Sequence, residues 1–231
     1  MAVKNDIEKR ILFEDNHIII INKKSSEIIQ GDKTGDEPLS EKIKKYIKVK
    51  YNKPGNVFLG VVHRLDRPVS GAVIFAKTSK ALTRLNLMLK NHEIRKFYWA
   101  ITKNQPPKES DHLINYLKKN PEKNKSFICK SNKAKALKAE LKYELIKASK
   151  NYYLLEIELL TGRHHQIRAQ LANIGCPIKG DVKYGFSRTN KDASIDLHAR
   201  KIIFVHPVNN EKIEIIAPLP DENLWSFFGS N

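Results

Sequence analysis

The sequence predicts an α+β fold with a largely antiparallel or mixed sheet and interspersed helices. Three observations predict it. Short runs of alternating apolar and polar residues recur in pairs separated by turn residues, the signature of hairpins. The helical stretches fall between these pairs with no repeated strand–helix–strand rhythm, and no glycine-rich phosphate loop follows a strand. No repeat or break in composition divides the 231 residues, so residues 1–231 read as one domain, long enough for a sizeable core.

In chain order, Ile11-Leu12-Phe13 and His17 to Ile21 read as two short strands around a turn at Asp15-Asn16. Asp36-Glu37-Pro38 opens a helix in which Leu39, Ile43, Tyr46 and Ile47 share one face and lysines the other. Tyr51 to Gly55 is a Pro-Gly loop. Two apolar runs, Val57 to Val62 and Gly71 to Ala76, flank a charged stretch. Ser79 caps a helix with Leu82, Leu85, Met88 and Leu89 on one side. Phe97 to Thr102 is a strand, and Asn104 to Lys135, polar and weakly patterned, reads as loop with one helical turn at most. Ala139, Leu141, Tyr143 and Leu145, then Tyr153, Leu155, Ile157 and Leu159, alternate around Ser149-Lys150-Asn151 as a hairpin. A helix from about His164 to Ile174 stops at Gly175. Lys201 to His206 and Lys212 to Ala217 form a last hairpin.

Composition narrows the function classes. Hydrophobic residues make up 41%, as in ordinary globular chains, and no apolar stretch approaches the ~18 residues that span a membrane. The first ten residues lack the apolar core of a signal peptide. Cys129 and Cys176 show neither metal nor redox spacing and read as buried or incidental thiols. A cytoplasmic protein is the expectation. Forty-two Lys+Arg against 25 Asp+Glu give 42 − 25 = +17, a field that draws polyanions such as nucleic acid. The excess concentrates between Lys118 and Lys150, where eleven lysines face three acids. That stretch reads as a phosphate-contacting surface or a flexible loop, since it has few aromatics with which to read bases.

Two stretches carry chemistry. Val62 to Gly71 reads V-H-R-L-D-R-P-V-S-G. Neighbouring arginines favour the ionised form of Asp66, which suits a nucleophile or base; a turn aspartate in a minor surface ion pair is the competing reading. Leu160 to Arg168, L-T-G-R-H-H-Q-I-R, joins a strand to a helix and places Arg163, His164, His165 and Arg168 at the helix N-terminus, where anions are favoured. The arginines there suit phosphate, and the histidines read equally as helix-start residues. Adjacent histidine side chains diverge and no cysteine or carboxylate cluster accompanies them, so no metal site is expected. H-R-L-D is not the kinase loop H-R-D: the order differs, and G-x-G-x-x-G, D-F-G and A-P-E are missing. No G-x-S-x-G elbow supports a serine hydrolase either.

V-H-R-L-D-R-P-V-S-G resembles the signature of the RluA-type RNA pseudouridine synthases. The resemblance runs in order through Phe13 to Ile18, Lys96 to Ala100, Thr161 to Arg168, Ile174 to Asp181, Tyr184-Gly185, Leu197-His198-Ala199 and Phe204 to Pro207. It implies the pseudouridine synthase fold: a long, bent, mixed or antiparallel sheet with flanking helices and a central catalytic cleft. It implies a cofactor-free isomerase, without a metal, that acts as a monomer on structured RNA, ribosomal or transfer. Asp66 falls on the family's catalytic aspartate, with attack at C1′, addition to the base and removal of the 2′ proton all open to it. Tyr98 falls on the tyrosine that stacks on the base, Arg168 on the arginine that pairs with the aspartate, and Arg64 on the arginine that enters the RNA beside the flipped nucleotide. Arg67, Arg163 and His165 are further RNA-contact candidates. Base flipping costs a few kcal/mol, and an aromatic platform returns ~1–3 kcal/mol. This sequence has Asn22-Lys23-Lys24-Ser25 where many relatives have Asn-Lys-Pro, and Ala169-Gln170 where many have Val-His. Relatives often carry an N-terminal S4 domain; a stand-alone catalytic domain is expected here. The alternatives are a non-catalytic RNA-binding protein of the same fold and, resting only on the histidines, a metal-dependent nucleotide hydrolase.

Overall fold

The computed structural model describes residues 6–32, 34–130 and 136–229. The chain forms two compact units, one made of residues 1–94 and 199–220 and the other of residues 95–198 and 221–231. The first unit is therefore discontinuous in sequence.

In the first unit, β1 (Ile11–Glu14) and β2 (Ile18–Lys23) form the expected hairpin, and Asp15 Oδ1 accepts from the N–H groups of His17 and Ile18 at its turn. β3 is only Gly60–Val61 and pairs with β4 (Ser70–Ala76). The run from Val57 thus contributes a much shorter strand than its apolar content suggests, with Phe58 exposed. β4 also pairs antiparallel with β2, from Ile18 opposite Ala76 to Lys23 opposite Gly71. Every residue of β4 is buried, as are Ile18, Ile19, Ile20 and Ile21. Continuous apolar strands of this kind are covered on both faces, and each fully buried isoleucine contributes about 1.5–3 kcal/mol.

Helix α1 (Leu39–Lys50) buries the predicted face of Leu39, Ile43, Tyr46 and Ile47. Helix α2 (Ser79–Lys90) is capped by Thr78, whose side chain accepts from the Ala81 N–H, rather than by Ser79. The C-terminal part of the chain returns β10 (Leu197–Val205), whose Ala199–Val205 segment lies in this unit beside β4, and β11 (Lys212–Ile216), which pairs with β10. Ile18, Ile20, Ile74, Leu85, Ile202 and Phe204 form one core cluster.

The second unit is an antiparallel sheet in the order β5-β9-β8-β6-β7. Its strands are β5 (Arg95–Thr102), β6 (Ser110–Asn120), β7 (Lys125–Cys129), β8 (Leu137–Ala148) and β9 (Tyr153–Leu159). β6 and β7 overturn the expectation of a loop from Asn104 to Lys135. The pair forms a hairpin in which Leu113, Leu117 and Ile128 are the covered apolar positions, while Ile114 and Phe127 are exposed on the solvated face. Ser131 to Lys135 of that stretch lie outside the described residues. Helix α3 (Gln166–Asn173) lays Ala169 and Ala172 against Leu117, Ile128, Ala139 and Tyr184. A short 3-10 turn, Val182–Tyr184, and a C-terminal helix α4 (Asn223–Gly229) complete the unit; neither follows from the sequence pattern. Among the described residues no helix is long and apolar enough to cross a membrane.

Candidate functional site

Asp66 lies in the loop between β3 and β4. Val62, Leu65 and Val69 are buried along it, while Arg64 and Arg67 are exposed and Asp66 is half-buried. The apolar residues thus anchor the loop and leave the charged ones at its surface. The Val69 N–H donates to the Asp66 carbonyl at 3.0 Å, closing a turn, and the Ser26 N–H donates to the Arg67 carbonyl at 2.9 Å. Gly71 follows with φ 114°, and a Cβ there would stand 2.4 Å from the Ala199 carbonyl oxygen and 2.5 Å from its nitrogen. Only glycine tolerates both the backbone conformation and the approach. His63 Nε2 accepts from the Ile74 N–H at 3.1 Å, so this histidine ties the loop to β4.

Lys23 fixes the loop from below. It is 1% exposed, and its Nζ donates to the carbonyls of Lys24, Arg67 and Val69 at 2.9, 3.1 and 2.6 Å. Burial pulls its pKa down to about 7, against the favourable charges of Glu27 and Asp66 and with the repulsion of Arg10 and Arg67. Arg67 itself reaches Asp36 at 2.6 Å in an exposed ion pair, a contact worth little by itself.

Tyr98 sits in β5 opposite Ile157 and is 6% exposed. Lys96, two residues earlier, is partly covered; burial lowers its pKa, and a Cβ on Gly162 would stand 3.7 Å from its Nζ. The Thr161-Gly162-Arg163 turn is built by Gln166, whose Oε1 accepts from Thr161 Oγ1 and the Arg163 N–H at 2.7 and 3.0 Å and whose Nε2 donates to the Glu140 carbonyl. Arg163 is exposed, its Nε donating to the Lys138 carbonyl at 2.9 Å.

His165 occupies the N-cap of α3 with φ 51°, a left-handed conformation uncommon for a residue with a side chain. It is 8% exposed, and its Nδ1 lies 3.1 Å from the Tyr184 hydroxyl. Burial, then the neighbouring charges of Arg168, His164, Lys183 and Lys119, push its pKa down to about 2, so the ring is neutral. The two histidine side chains do not diverge as expected from their adjacency: the left-handed backbone at His165 lets His164 stack on it at 3.8 Å, with its Nδ1 toward Ser126 Oγ, 2.9 Å away. Both rings are thus engaged with hydroxyls, and among the described residues no group of three or more His, Cys, Asp or Glu gathers as metal ligands.

Arg168 is buried and makes a two-point pair with Asp181, Nε to Oδ2 and Nη2 to Oδ1, both at 2.7 Å. Its guanidinium lies over the Tyr184 ring, 5.1 Å from the centroid. Such a fork fixes the planar group in direction as well as charge. Asp66, Arg64 and Arg67 belong to the first unit, and Tyr98, Arg163, His165 and Arg168 to the second.

Sequence alone assigns no role to Lys23, His63, Asp181 or Tyr184. Asp181 and Tyr184 lie inside stretches that carry the resemblance. Lys23 follows a continuous isoleucine strand at a position whose face is buried.

The family described as RNA pseudouridylate synthase matches residues 17–173. An uncharacterized RNA pseudouridine synthase of Mycoplasma genitalium is 33% identical over 216 residues, covering 93% of this chain and 68% of that protein. Ribosomal large subunit pseudouridine synthase C of Buchnera aphidicola is 35% identical over 219 residues, covering 91% and 67%. Among solved structures, human RNA pseudouridylate synthase domain containing 4 superposes with a TM-score of 0.81 at 20% identity, over 98% of this chain and 95% of that one. The chain therefore belongs to the RNA pseudouridylate synthase family, of the RluA type, and is an isomerase of uridine in RNA.

Proposed function

We propose that the chain isomerises a uridine in ribosomal RNA, with residues 1–231 acting as one cytoplasmic, monomeric catalytic domain and with Asp66 as the reacting carboxylate. What carries the reading is the loop around Asp66. A half-buried carboxylate stands on a segment pinned by three buried apolar side chains, a buried ammonium and a histidine, and rigid placement is what orientation-dependent chemistry demands. The motif V-H-R-L-D-R supports it independently.

The reaction is an isomerisation and balances without an external reagent. The C1′–N1 bond breaks, a C1′–C5 bond forms, and the proton leaving C5 is matched by one gained at N1. Tyr98 serves as the platform for the flipped base, Arg168 as the cation that pairs with the carboxylate, and Arg64 as the wedge that fills the vacated stack. Arg67 and Arg163, both exposed, contact phosphate. His165, neutral and bonded to Tyr184, serves the RNA-contacting turn by fixing its backbone. Ribosomal RNA is preferred to transfer RNA because relatives at 35% and 29% identity are named for the large ribosomal subunit.

Asp66→Asn tests the assignment. Pseudouridine formation, read by chemical mapping of total RNA, falls to background, while RNA affinity changes less than about threefold because the phosphate contacts remain. Turnover that survives the substitution ends the assignment, whereas an unaltered chain that binds RNA and forms no pseudouridine puts the non-catalytic RNA-binding reading in its place.

A further inference from the structure

The β6–β7 hairpin carries a dense run of positive charge. From Lys118 to Lys130 there are five lysines and one acid, Glu122. The ion pairs of the second unit lie on other side chains. Among the described residues, none of Lys118, Lys119, Lys123 and Lys125 is neutralised by one, and neither is the neighbouring Lys183. Lys118, Lys119 and Lys123 are exposed. Phe127, 40% exposed, stands opposite Lys118 in the ladder, and Lys125 lies 5.5 Å above its ring.

A solvated lysine face needs no anchoring, yet this hairpin is anchored tightly. β7 ends the sheet of its unit, and an edge strand leaves backbone groups open. Here Tyr184 meets those of Ser126: its hydroxyl accepts from the Ser126 N–H at 2.8 Å and lies 3.2 Å from the Ser126 carbonyl. Ser126 Oγ donates to the His164 carbonyl at 2.7 Å, and Lys183 Nζ donates to the Asn124 carbonyl at 3.2 Å. The same Tyr184 ring lies under Arg168 and under Lys125, 4.8 Å away. One tyrosine therefore joins the hairpin to the helix that bears Arg168.

We infer that the β6–β7 hairpin is an arm that grips the phosphate backbone of the RNA substrate, held at a fixed position against the Arg168 helix by Tyr184. The inference rests on the proposed function only for the identity of the polyanion. Clustered cations that face no acid are the electrostatic footprint of such a surface, and pre-fixing them lowers the ordering cost of binding.

The test measures binding of poly(U) and of an RNA stem–loop across a salt series. The arm variant carries Lys118→Gln, Lys119→Gln, Lys123→Gln and Lys125→Gln. A control removes four exposed lysines of the first unit, as Lys48→Gln, Lys53→Gln, Lys80→Gln and Lys90→Gln, so both lose the same net charge. The arm variant is expected to lose on the order of tenfold in affinity, and its slope of log K against log salt on poly(U) to flatten by about 0.7 for each phosphate that it no longer neutralises. Tyr184→Phe, which keeps every lysine and the ring but frees the strand edge, is expected to weaken binding severalfold with the slope unchanged. Equal losses in the arm and control variants, or an unchanged slope in the arm variant, overturn the arm; full affinity in Tyr184→Phe overturns the clamp. Pseudouridine formation by the unaltered chain is assayed separately. Its absence counts against the proposed function and leaves the binding comparison standing.

Discussion

Replacing Lys23 by methionine removes the buried ammonium beneath the Asp66 loop, and the effect depends on pH in a calculable way. In the unfolded chain this lysine titrates near 10.5, and in the folded protein near 7. Between those values the unfolded state binds more protons than the folded state, so wild-type stability rises with pH across that window. Below pH 7 the folded protein carries the whole cost of the buried charge, about 5 kcal/mol at 1.36 kcal/mol per pH unit; above 10.5 it carries none. Integrated between pH 6 and pH 9, the Lys23 contribution alone raises stability by about 2.5 kcal/mol. Methionine has no proton to exchange but leaves the Arg67 and Val69 carbonyls without their donor, at about 1–3 kcal/mol each. Lys23→Met is therefore less stable than wild type at pH 9, and its deficit shrinks by about 2.5 kcal/mol at pH 6. Urea unfolding of both proteins at the two pH values reads the difference directly. Parallel pH dependences would refute the account, because they would mean that the ammonium is no less protonated in the folded state than in water.

Two further substitutions probe the geometry around the site. Asp181→Ala strands the buried Arg168 guanidinium and should cost about 3–5 kcal/mol, seen as a lowered melting temperature, with Asp181→Asn recovering part of it; an unshifted melting temperature would show that the pair holds nothing in place. Gly71→Ala drives a methyl into the Ala199 backbone at a positive φ and should cost at least about 3 kcal/mol, and soluble, fully active protein from that variant would contradict the close approach.

Much of this was legible in the residues. Alternation exposed the β8–β9 hairpin because one face of that sheet is buried and the other is wet. The continuous isoleucines marked β2 as covered on both sides. H-R-L-D-R stood out because charge is dense there between two apolar runs. What escaped reading did so for physical reasons. β6 and β7 hide in a lysine-rich stretch because few of their positions are buried. Thr78 and Ser79 are equally good caps by type, and only backbone geometry separates them. Lys23 looks like a surface lysine, since lysines are almost never fully buried; the clue is its spacing, two residues beyond buried Ile21 on the same strand face. Asp181 and Tyr184 meet Arg168 only through the turn after α3, which no periodicity encodes.

The split of the first unit into two distant chain segments sets an order of events during synthesis. Ribosomes release a chain from its N-terminus, and domains generally fold as they emerge. Residues 6–94 appear first, with the Asp66 loop among them, yet Gly71, just past that loop, packs against the Ala199 backbone. About a hundred residues of the second unit must be translated before that strand exists. A nascent chain paused anywhere between β4 and β10 therefore displays the Asp66 loop on an unfinished scaffold. The first unit is completed only once β10 has been made, so products truncated before it lack a strand of that unit's own sheet.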